Sequence, residues 1–216
     1  MKKDLTELVF ILDRSGSMSG LEGDTIGGFN SMITKQRDEE GDVLVSTVLF
    51  DNYSEVIHDR MSIDDIPPLT SKEYYVRGCT ALLDAVGGAI HHIGNVHKYA
   101  RKEDIPSKTL FVITTDGMEN ASHFYSSDKV KRMIERQKEK YGWEFIFLGA
   151  NIDAVEAAGN IGIRPECAVN YNCDSEGTSV VYASISRAVT DVRGGKKLSS
   201  FPSWRRDVDR DFNTRK

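Results

Sequence analysis

The chain has 216 residues, a formal net charge of −5 and 39% apolar residues, which is the balance of a globular protein rather than a disordered or fibrous one. This length predicts one domain with a short appendage and leaves no room for a separate catalytic domain. The acidic charge argues against a protein that binds nucleic acid over its whole surface, because such proteins are normally basic.

Strand and helix patterns alternate through the first half of the chain. In chain order they predict a strand at 5–13, a helix at 25–38, strands at 42–50 and 53–59, and a helix at 81–100. The strands are apolar runs rich in β-branched residues, and the helices place their apolar residues on one face. The turn signal Asp51-Asn52 between the second and third strands predicts a hairpin.

The same alternation continues in the second half. The predicted elements are a strand at 107–116, helices at 127–141 and 153–160, strands at 143–149 and 167–171, and a last helix at 177–193. The whole pattern predicts an α/β fold, with a Rossmann-like, doubly wound and mostly parallel six-stranded sheet between helices on both faces. The hairpin predicts one antiparallel edge strand, and we place a single domain at 1–193.

The segment 194–216 differs in composition from the rest of the chain. It carries seven lysines and arginines against three aspartates, so that this tail is basic in an acidic protein. Its apolar residues Phe201, Pro202 and Trp204 are able to dock it on the domain. We expect either a terminal arm that docks or frays, or a basic contact arm.

Oxygen-bearing side chains stand at the ends of two strands and before one helix. Asp13, Ser15 and Ser17 follow the first strand, Asp116 ends the strand at 107–116, and Thr80 precedes the helix at 81–100. Ligands of open α/β sheets bind outside the carboxyl ends of the strands, so we expect these groups at one edge. Two buried carboxylates that converge there repel each other unless a cation lies between them.

This donor set predicts a hard divalent cation that prefers oxygen ligands. Mg²⁺ is the first choice, and Mn²⁺ or Ca²⁺ are possible substitutes. No paired His or Cys ligands lie nearby, which disfavours zinc and copper. Because two carboxylates only just neutralise a divalent ion, we expect an open coordination position that a carboxylate from another molecule can fill. No base is obvious beside the site, so the pattern favours binding over catalysis.

Three motifs together resemble one known family. Asp13-Arg-Ser-Gly-Ser17 is similar to the DxSxS signature of von Willebrand factor A domains, the segment 78–85 to the threonine segment of that family, and 115–120 to its TDGxEN segment. The motifs occur in the family's order within residues 5–193, and the chain resembles compact bacterial intracellular members, including those near tellurium-resistance operons. The resemblance implies a Rossmann-like sheet with a complete metal-ion-dependent adhesion site (MIDAS), whose ligands, some through water, are Asp13, Ser15, Ser17, Thr80 and Asp116.

The resemblance also implies a function in protein binding rather than catalysis. A partner protein is expected to supply an Asp or Glu carboxylate to the metal. Neighbouring residues are expected to orient the ligands or to contact the partner, namely Arg14, Gly16, Gly78, Cys79, Gly117, Glu119, Asn120 and His123. Among them, Arg14 is expected to project from the metal loop towards an acidic partner or solvent.

Other functions stay open at this point. A metal-dependent hydrolase or a small-ligand-binding protein would use the same site, and His123 and Glu119 are the only local candidates for a base. The string 16–20, Gly-Ser-Met-Ser-Gly, is similar to the nucleophile elbow G-x-S-x-G with Ser19 as nucleophile, but Met18 stands at the central position of the pattern and no helical pattern follows it directly. The glycine patterns of dinucleotide sites and P-loops do not occur.

The remaining features predict an ordinary reduced protein. Cys79, Cys167 and Cys173 form no CxxC pair, so we expect neither a disulfide framework nor a structural zinc site. The charged stretch 129–140 contains glutamates among its bases and is interpreted as a solvated helix face rather than a nucleic-acid surface. No apolar run approaches membrane length, and the first residues do not form a signal peptide, so a cytoplasmic protein without membrane contact is expected.

Overall fold

A six-stranded sheet forms the centre of the protein in the computed structural model, which describes residues 2–198, 200 and 202–215. Its strands are β1 (Lys2–Asp13), β2 (Asp42–Phe50), β3 (Ser54–Ser62), β4 (Pro106–Thr115), β5 (Glu144–Gly149) and β6 (Ala168–Asn170). In space they follow the order β3-β2-β1-β4-β5-β6, and only β2 and β3 pair antiparallel. The predicted mostly parallel sheet with one antiparallel edge strand is therefore confirmed.

Helices cover both faces of this sheet. They are α1 (Glu22–Arg37), α2 (Leu82–Tyr99), α3 (Ser127–Tyr141), α4 (Ala154–Asn160), α5 (Ser175–Arg193) and α6 (Arg206–Thr214). In β1, Phe10 contacts Phe29 of α1, whereas Glu7 contacts His97 of α2. Residues 7 and 10 of a strand point to opposite faces, so α1 and α2 lie on opposite sides, where α1 packs against α5 and α2 against α3. Within the part of the chain that is described, no helix is long and apolar enough to cross a membrane.

The central strands explain why the sequence pattern is so clear. Residues 8–12 of β1, 110–113 of β4 and 145–148 of β5 are each at most 2% exposed. A strand covered by helices on both faces needs apolar side chains at every position, which gives continuous apolar runs. The edge strand β3 is largely exposed, and it continues three residues beyond its predicted end through Arg60, which has a φ of 51°.

The topology places a crevice between β1 and β4. These strands are neighbours, but the chain leaves β1 towards β2 on one side and leaves β4 towards β5 on the other. Ligands of doubly wound folds bind at this switch point, outside the carboxyl ends of the strands. Asp13 ends β1 and Asp116 directly follows β4, so the fold brings both carboxylates to the crevice.

The described part of the tail is docked on the domain. A 3₁₀ turn (Pro202–Arg205) leads into α6, which packs against α5 and β6. Trp204 is 0% exposed and Val208 one turn later is 1% exposed, so both join the main core. Phe201, which the sequence suggests as a further docking residue, lies outside the described residues.

Candidate metal centre

Three loops meet at the crevice and are held together by their backbones. The Gly16 N–H donates to the Gly78 carbonyl at 3.1 Å, which joins the loop after β1 to the segment before α2. Two hydrogen bonds join that segment to the loop after β4, because the Asn120 N–H donates to the Thr80 carbonyl at 3.1 Å and the Thr80 N–H donates to Asn120 Oδ1 at 2.9 Å. These contacts fix the positions from which the side chains reach the crevice.

The five residues proposed as metal ligands are brought together. Ser15 Oγ lies 2.9 Å from Ser17 Oγ, and the Thr80 hydroxyl donates to Ser15 Oγ at 3.1 Å. The Asp116 N–H donates to Asp13 Oδ2 at 3.3 Å, and Asp13 Oδ1 accepts the Ser15 N–H at 2.7 Å. A continuous set of backbone and side-chain hydrogen bonds therefore links all five residues, which come from three separate segments.

The two carboxylates are buried without a basic partner. Asp13 and Asp116 are each 1% exposed, and no Lys, Arg or His among the described residues forms an ion pair with either of them. Burial raises the pKa of Asp116, and the nearby charge of Asp13 raises it further, against the opposing effect of hydrogen bonds. A buried negative charge of this kind is costly unless a cation neutralises it.

Neutral donors from other elements contact both carboxylates. The Thr115 hydroxyl donates to Asp13 Oδ2 at 2.7 Å. Asp116 accepts hydrogen bonds from Asn151 Nδ2 and from Cys173 Sγ, the latter at 2.9 Å. Thr115, Asn151 and Cys173 are not among the site residues predicted from the sequence, although all three stand at or just after the carboxyl end of a strand.

Residues around the ligands stabilise the loop after β4. The Glu119 carboxylate accepts the Leu83 N–H in the first turn of α2 at 2.9 Å and the Ser122 hydroxyl at 2.8 Å. Asp84 accepts the backbone N–H of His123 at 2.8 Å and the next two N–H groups at 2.9 Å each. The side chain of His123 stays exposed on the surface beside the site.

Close approaches limit the space at two glycines, most severely at Gly78. Gly78 has a φ of +69°, and a Cβ at this position would lie 2.0 Å from Asn52 Oδ1, which accepts the N–H of the exposed Cys79 at 3.0 Å. A Cβ at Gly117 would lie 3.3 Å from Ser17 Oγ and 3.4 Å from the Thr80 hydroxyl. Gly117 therefore keeps open the space in front of the hydroxyl groups.

The expectation that Arg14 projects towards a partner is wrong. Arg14 is 1% exposed, and its Nε donates to Asp51 Oδ2 at 2.9 Å while a terminal nitrogen lies 2.7 Å from Glu55. Arg77 Nε donates to the same Asp51 oxygen at 2.8 Å. Burial alone would raise the pKa of Asp51, but hydrogen bonds from Arg77, the Tyr53 N–H and Arg14 outweigh it and lower this pKa. Arg14 is thus the internal counter-charge of a buried aspartate.

The arrangement fits a hard divalent cation. The available donors are carboxylate and hydroxyl oxygens, the negative charge has no basic partner among the described residues, and Gly117 leaves room in front of the hydroxyls. Among the residues described, no group of three or more His, Cys, Asp or Glu side chains is placed to hold a metal ion. The available ligand set therefore consists of Ser and Thr hydroxyls together with the two carboxylates, all of them oxygen donors.

The nucleophile-elbow geometry is not formed. β1 ends at Asp13, a 3₁₀ turn (Gly16–Met18) follows, and Ser19 comes after that turn and before α1. The elbow requires the serine at a sharp turn that joins strand directly to helix. Ser19 has no histidine contact among the residues that the structure covers.

Comparisons with known proteins identify the fold. No protein-family model and no curated sequence matches this chain significantly. Among solved structures, a von Willebrand factor type A protein from Catenulispora acidiphila is 13% identical with a TM-score of 0.56, over 85% of this chain and 42% of that one. Manganese-loaded TRAP protein from Plasmodium vivax is 17% identical with a TM-score of 0.56, over 84% of this chain and 73% of that one.

A third match carries a described metal site. Proximal thread matrix protein 1 from the mussel byssus, with a zinc-occupied MIDAS motif, is 13% identical with a TM-score of 0.55, over 87% of this chain. The present chain spans about half, 46%, of that protein's solved chain. At these identities the matches establish the fold, which is the α/β fold of von Willebrand factor A domains.

Proposed function

We propose that this protein is a non-catalytic, Mg²⁺-dependent protein-interaction module. Asp13, Ser15, Ser17, Thr80 and Asp116 would hold the ion, some of them through water. A bound Mg²⁺ supplies a Lewis-acidic position that accepts one carboxylate oxygen from an Asp or Glu of a partner protein. Mn²⁺ or Ca²⁺ would be able to replace Mg²⁺ at the same ligands.

One observation carries this proposal. Two carboxylates, Asp13 and Asp116, are 1% exposed, belong to the same crevice as the hydroxyls of Ser15, Ser17 and Thr80, and have no basic partner among the described residues. Burial of two unpaired carboxylates is costly to the fold unless an external cation neutralises the pair. The proposal is supported by two structural neighbours, one with a zinc-occupied MIDAS motif and one loaded with manganese.

The surface around the site supports a protein partner rather than a small ligand. Large apolar side chains are exposed on the loops of this edge, with Met118 at 75%, Phe124 at 79% and Tyr53 at 76% exposure. Aromatic residues and Met are enriched in protein–protein interfaces. These side chains would add apolar contacts around the partner's carboxylate, next to the metal ligands.

Calorimetric titration with MgCl₂, MnCl₂ and CaCl₂ tests the metal site. We expect one site in the wild type and loss of binding in Asp13→Ala. Asp64→Ala is the matched control, since Asp64 is exposed and lies outside the crevice. Equal binding by Asp13→Ala and the wild type would rule out the site.

A pull-down from the extract of the native cell tests partner binding. The tagged full chain is incubated with Mg²⁺ or with EDTA, and the captured proteins are compared with those of Asp13→Ala and Asp64→Ala. We expect a set that requires both Mg²⁺ and Asp13 but not Asp64. Capture of no protein that requires Mg²⁺ would contradict metal-bridged binding, and esterase or phosphatase turnover abolished by Ser19→Ala would favour a hydrolase instead.

A further inference from the structure

A second concave surface lies at the opposite edge of the sheet, between α2 and α3. Its volume is about 800 Å³, and its floor includes Ile105, Met133 and Trp143. Trp143 directly precedes β5, whereas the metal centre follows the carboxyl ends of the strands. This surface, which we call the basic groove, is therefore separate from the metal centre and within the size range of ligand sites.

The rim of the basic groove carries only positive charge. Lys98 of α2 and Arg136 and Lys140 of α3 are exposed there, and no Asp or Glu of the described residues lines the groove. None of the three forms an ion pair within the described part of the chain, and the Lys98 ammonium contacts only the Tyr99 ring at 4.9 Å. Unpaired bases gathered in a protein of net charge −5 favour a negatively charged ligand.

The charged stretch 129–140, interpreted from sequence as a solvated face, is divided by the fold. Arg136 and Lys140 line the basic groove, but Glu135 and Glu139 do not. Its glutamates therefore leave the groove's charge uncompensated. The sequence alone did not show this division because the opposite wall, with Lys98, lies in a distant segment.

The floor of the basic groove suits an apolar side chain rather than a nucleobase. Trp143 is 4% exposed, since Phe111 stacks on it at 5.2 Å and the His97 ring packs against it edge-to-face at 5.3 Å. Trp143 is therefore closed to base stacking, and Tyr141, at 59% exposure, is the one exposed Tyr, Phe or Trp of the described groove lining, whereas single-stranded nucleic acids stack successive bases on several aromatic rings. Met133 and Ile105 are half-buried beside it and extend the apolar floor.

The dimensions of the basic groove suit a short peptide segment. His91 and Lys98 on the α2 wall are seven residues apart, which is roughly 10 Å along a helix. Arg136 and Lys140 stand one turn apart on the facing wall. An extended chain covers this distance in about three residues, so that one apolar residue flanked by acids would meet both the floor and the rim.

We propose that the basic groove binds an acidic segment of a partner protein. One apolar side chain of that segment packs on the floor, which Met133, Ile105 and Trp143 form. Asp or Glu residues on both sides of it pair with Lys98, Arg136 and Lys140. This interaction does not involve the metal centre, so it persists in EDTA and is distinguishable from the proposed function.

Fluorescence anisotropy with a defined probe tests the proposal. The probe is a fluorescein-labelled peptide, Glu-Asp-Glu-Leu-Asp-Glu, titrated with the full chain in EDTA at low salt. We expect saturable binding that weakens at least about tenfold in the double variant Arg136→Glu with Lys140→Glu. The matched control, Lys131→Glu with Arg132→Glu, makes the same charge change on α3 outside the groove lining and should bind within about twofold of the wild type.

Further measurements decide between the occupants. Replacing the Leu of the probe by Ser should weaken binding at least about fivefold, because the apolar contact is lost. Lys98→Glu repeats the test from the other wall if the double variant does not fold, as judged by circular dichroism. The proposal is overturned if the probe does not bind at about 1 mM protein, if the control variant weakens binding equally, or if replacing the Leu has no effect on affinity. It is also overturned if a single-stranded oligonucleotide binds more tightly than the probe, or if the protein forms a dimer that the same variants dissociate.

Discussion

The buried carboxylates at the carboxyl edge of the sheet are treated in two different ways. Asp51 is 2% exposed and is bound by both Arg14 and Arg77. Asp13 and Asp116 are as deeply buried, yet no basic side chain of the described residues reaches them. The chain therefore supplies two guanidinium groups to one buried acid and none to a neighbouring pair.

The amino-terminal half of β1 follows the first pattern. Glu7 is 0% exposed, and Arg60 lies 2.6 Å from one of its oxygens while His97 contacts the other. Asp51 and Glu7, the buried acids with internal partners, thus each contact two basic side chains. The departure from this pattern at Asp13 and Asp116 marks the place where an exchangeable cation is expected, and the opposite pKa shifts of Asp116 and Asp51 agree with it.

The largest expected effect comes from removing a charge that has internal partners. Asp51→Asn should lower the free energy of unfolding by about 3–5 kcal/mol, because it leaves the buried Arg14 guanidinium with a broken ion pair. Urea unfolding of the metal-free protein measures this loss. Asp59→Asn is the control, since Asp59 is 54% exposed and pairs only with His92, and it should change stability by less than about 1 kcal/mol. Equal losses in the two variants would remove the distinction between Asp51 and a surface acid.

The opposite behaviour is expected at the metal centre. In EDTA, Asp116→Asn should stay within about 1 kcal/mol of the wild type, because an amide is cheaper to bury than an unpaired charge. At a Mg²⁺ concentration 100 times Kd, the wild type should gain about 2.7 kcal/mol and the variant nothing. Urea unfolding with and without Mg²⁺ measures both. A large loss in EDTA would show that Asp116 has an internal partner like that of Asp51.

The pH dependence of stability should separate the same two residues. The pKa of Asp51 is lower in the folded protein than its ordinary value of 3.8, so its ion pairs contribute fully above that value and are lost as pH falls through the folded pKa. The stability difference between wild type and Asp51→Asn should therefore shrink below about pH 4. Urea unfolding from pH 6 to pH 3 in EDTA checks it, and a constant difference would contradict the ionic role of Asp51.

The sequence was most informative where continuous strands end in a polar residue. The ends of β1 and β4 could be predicted because each strand is a continuous apolar run. Since ligands of such sheets bind outside the carboxyl ends of the strands, Asp13 and Asp116 were then predicted to lie at one crevice. Thr80 joined them because it stands just before the N-cap residue of α2. The same rule extends to Asn151, which follows β5 and has a φ of 55° that Asn tolerates better than most residues. Its contact with Asp116 was therefore predictable in principle.

Contacts between distant segments were not predictable in this way. Arg14 looked like an exposed loop residue because its partner Asp51 is 37 residues away, and only the pairing of β1 with β2 brings them together. The helix α6 in the tail was likewise not predicted, because the tail was characterised by its basic composition. The four-residue spacing of Trp204 and Val208, both of them buried on the domain, was not used. Local patterns fix elements and their ends, whereas ion pairs depend on strand order.

The smallest expected effect concerns the neutral donors that hold Asp116. Cys173 Sγ donates to Asp116 Oδ2 at 2.9 Å, so a cation that uses this oxygen must displace or share the hydrogen bond. Cys173→Ala removes the donor and should tighten Mg²⁺ binding by about threefold. This change corresponds to only part of the free energy of a hydrogen bond to a charged group. Calorimetric titration measures the change, with Cys79→Ala as a control on an exposed cysteine of the same edge. Weaker binding in Cys173→Ala would instead mean that the thiol positions Asp116 for the metal, which would make it part of the ligand support in the same way that Arg14 supports Asp51.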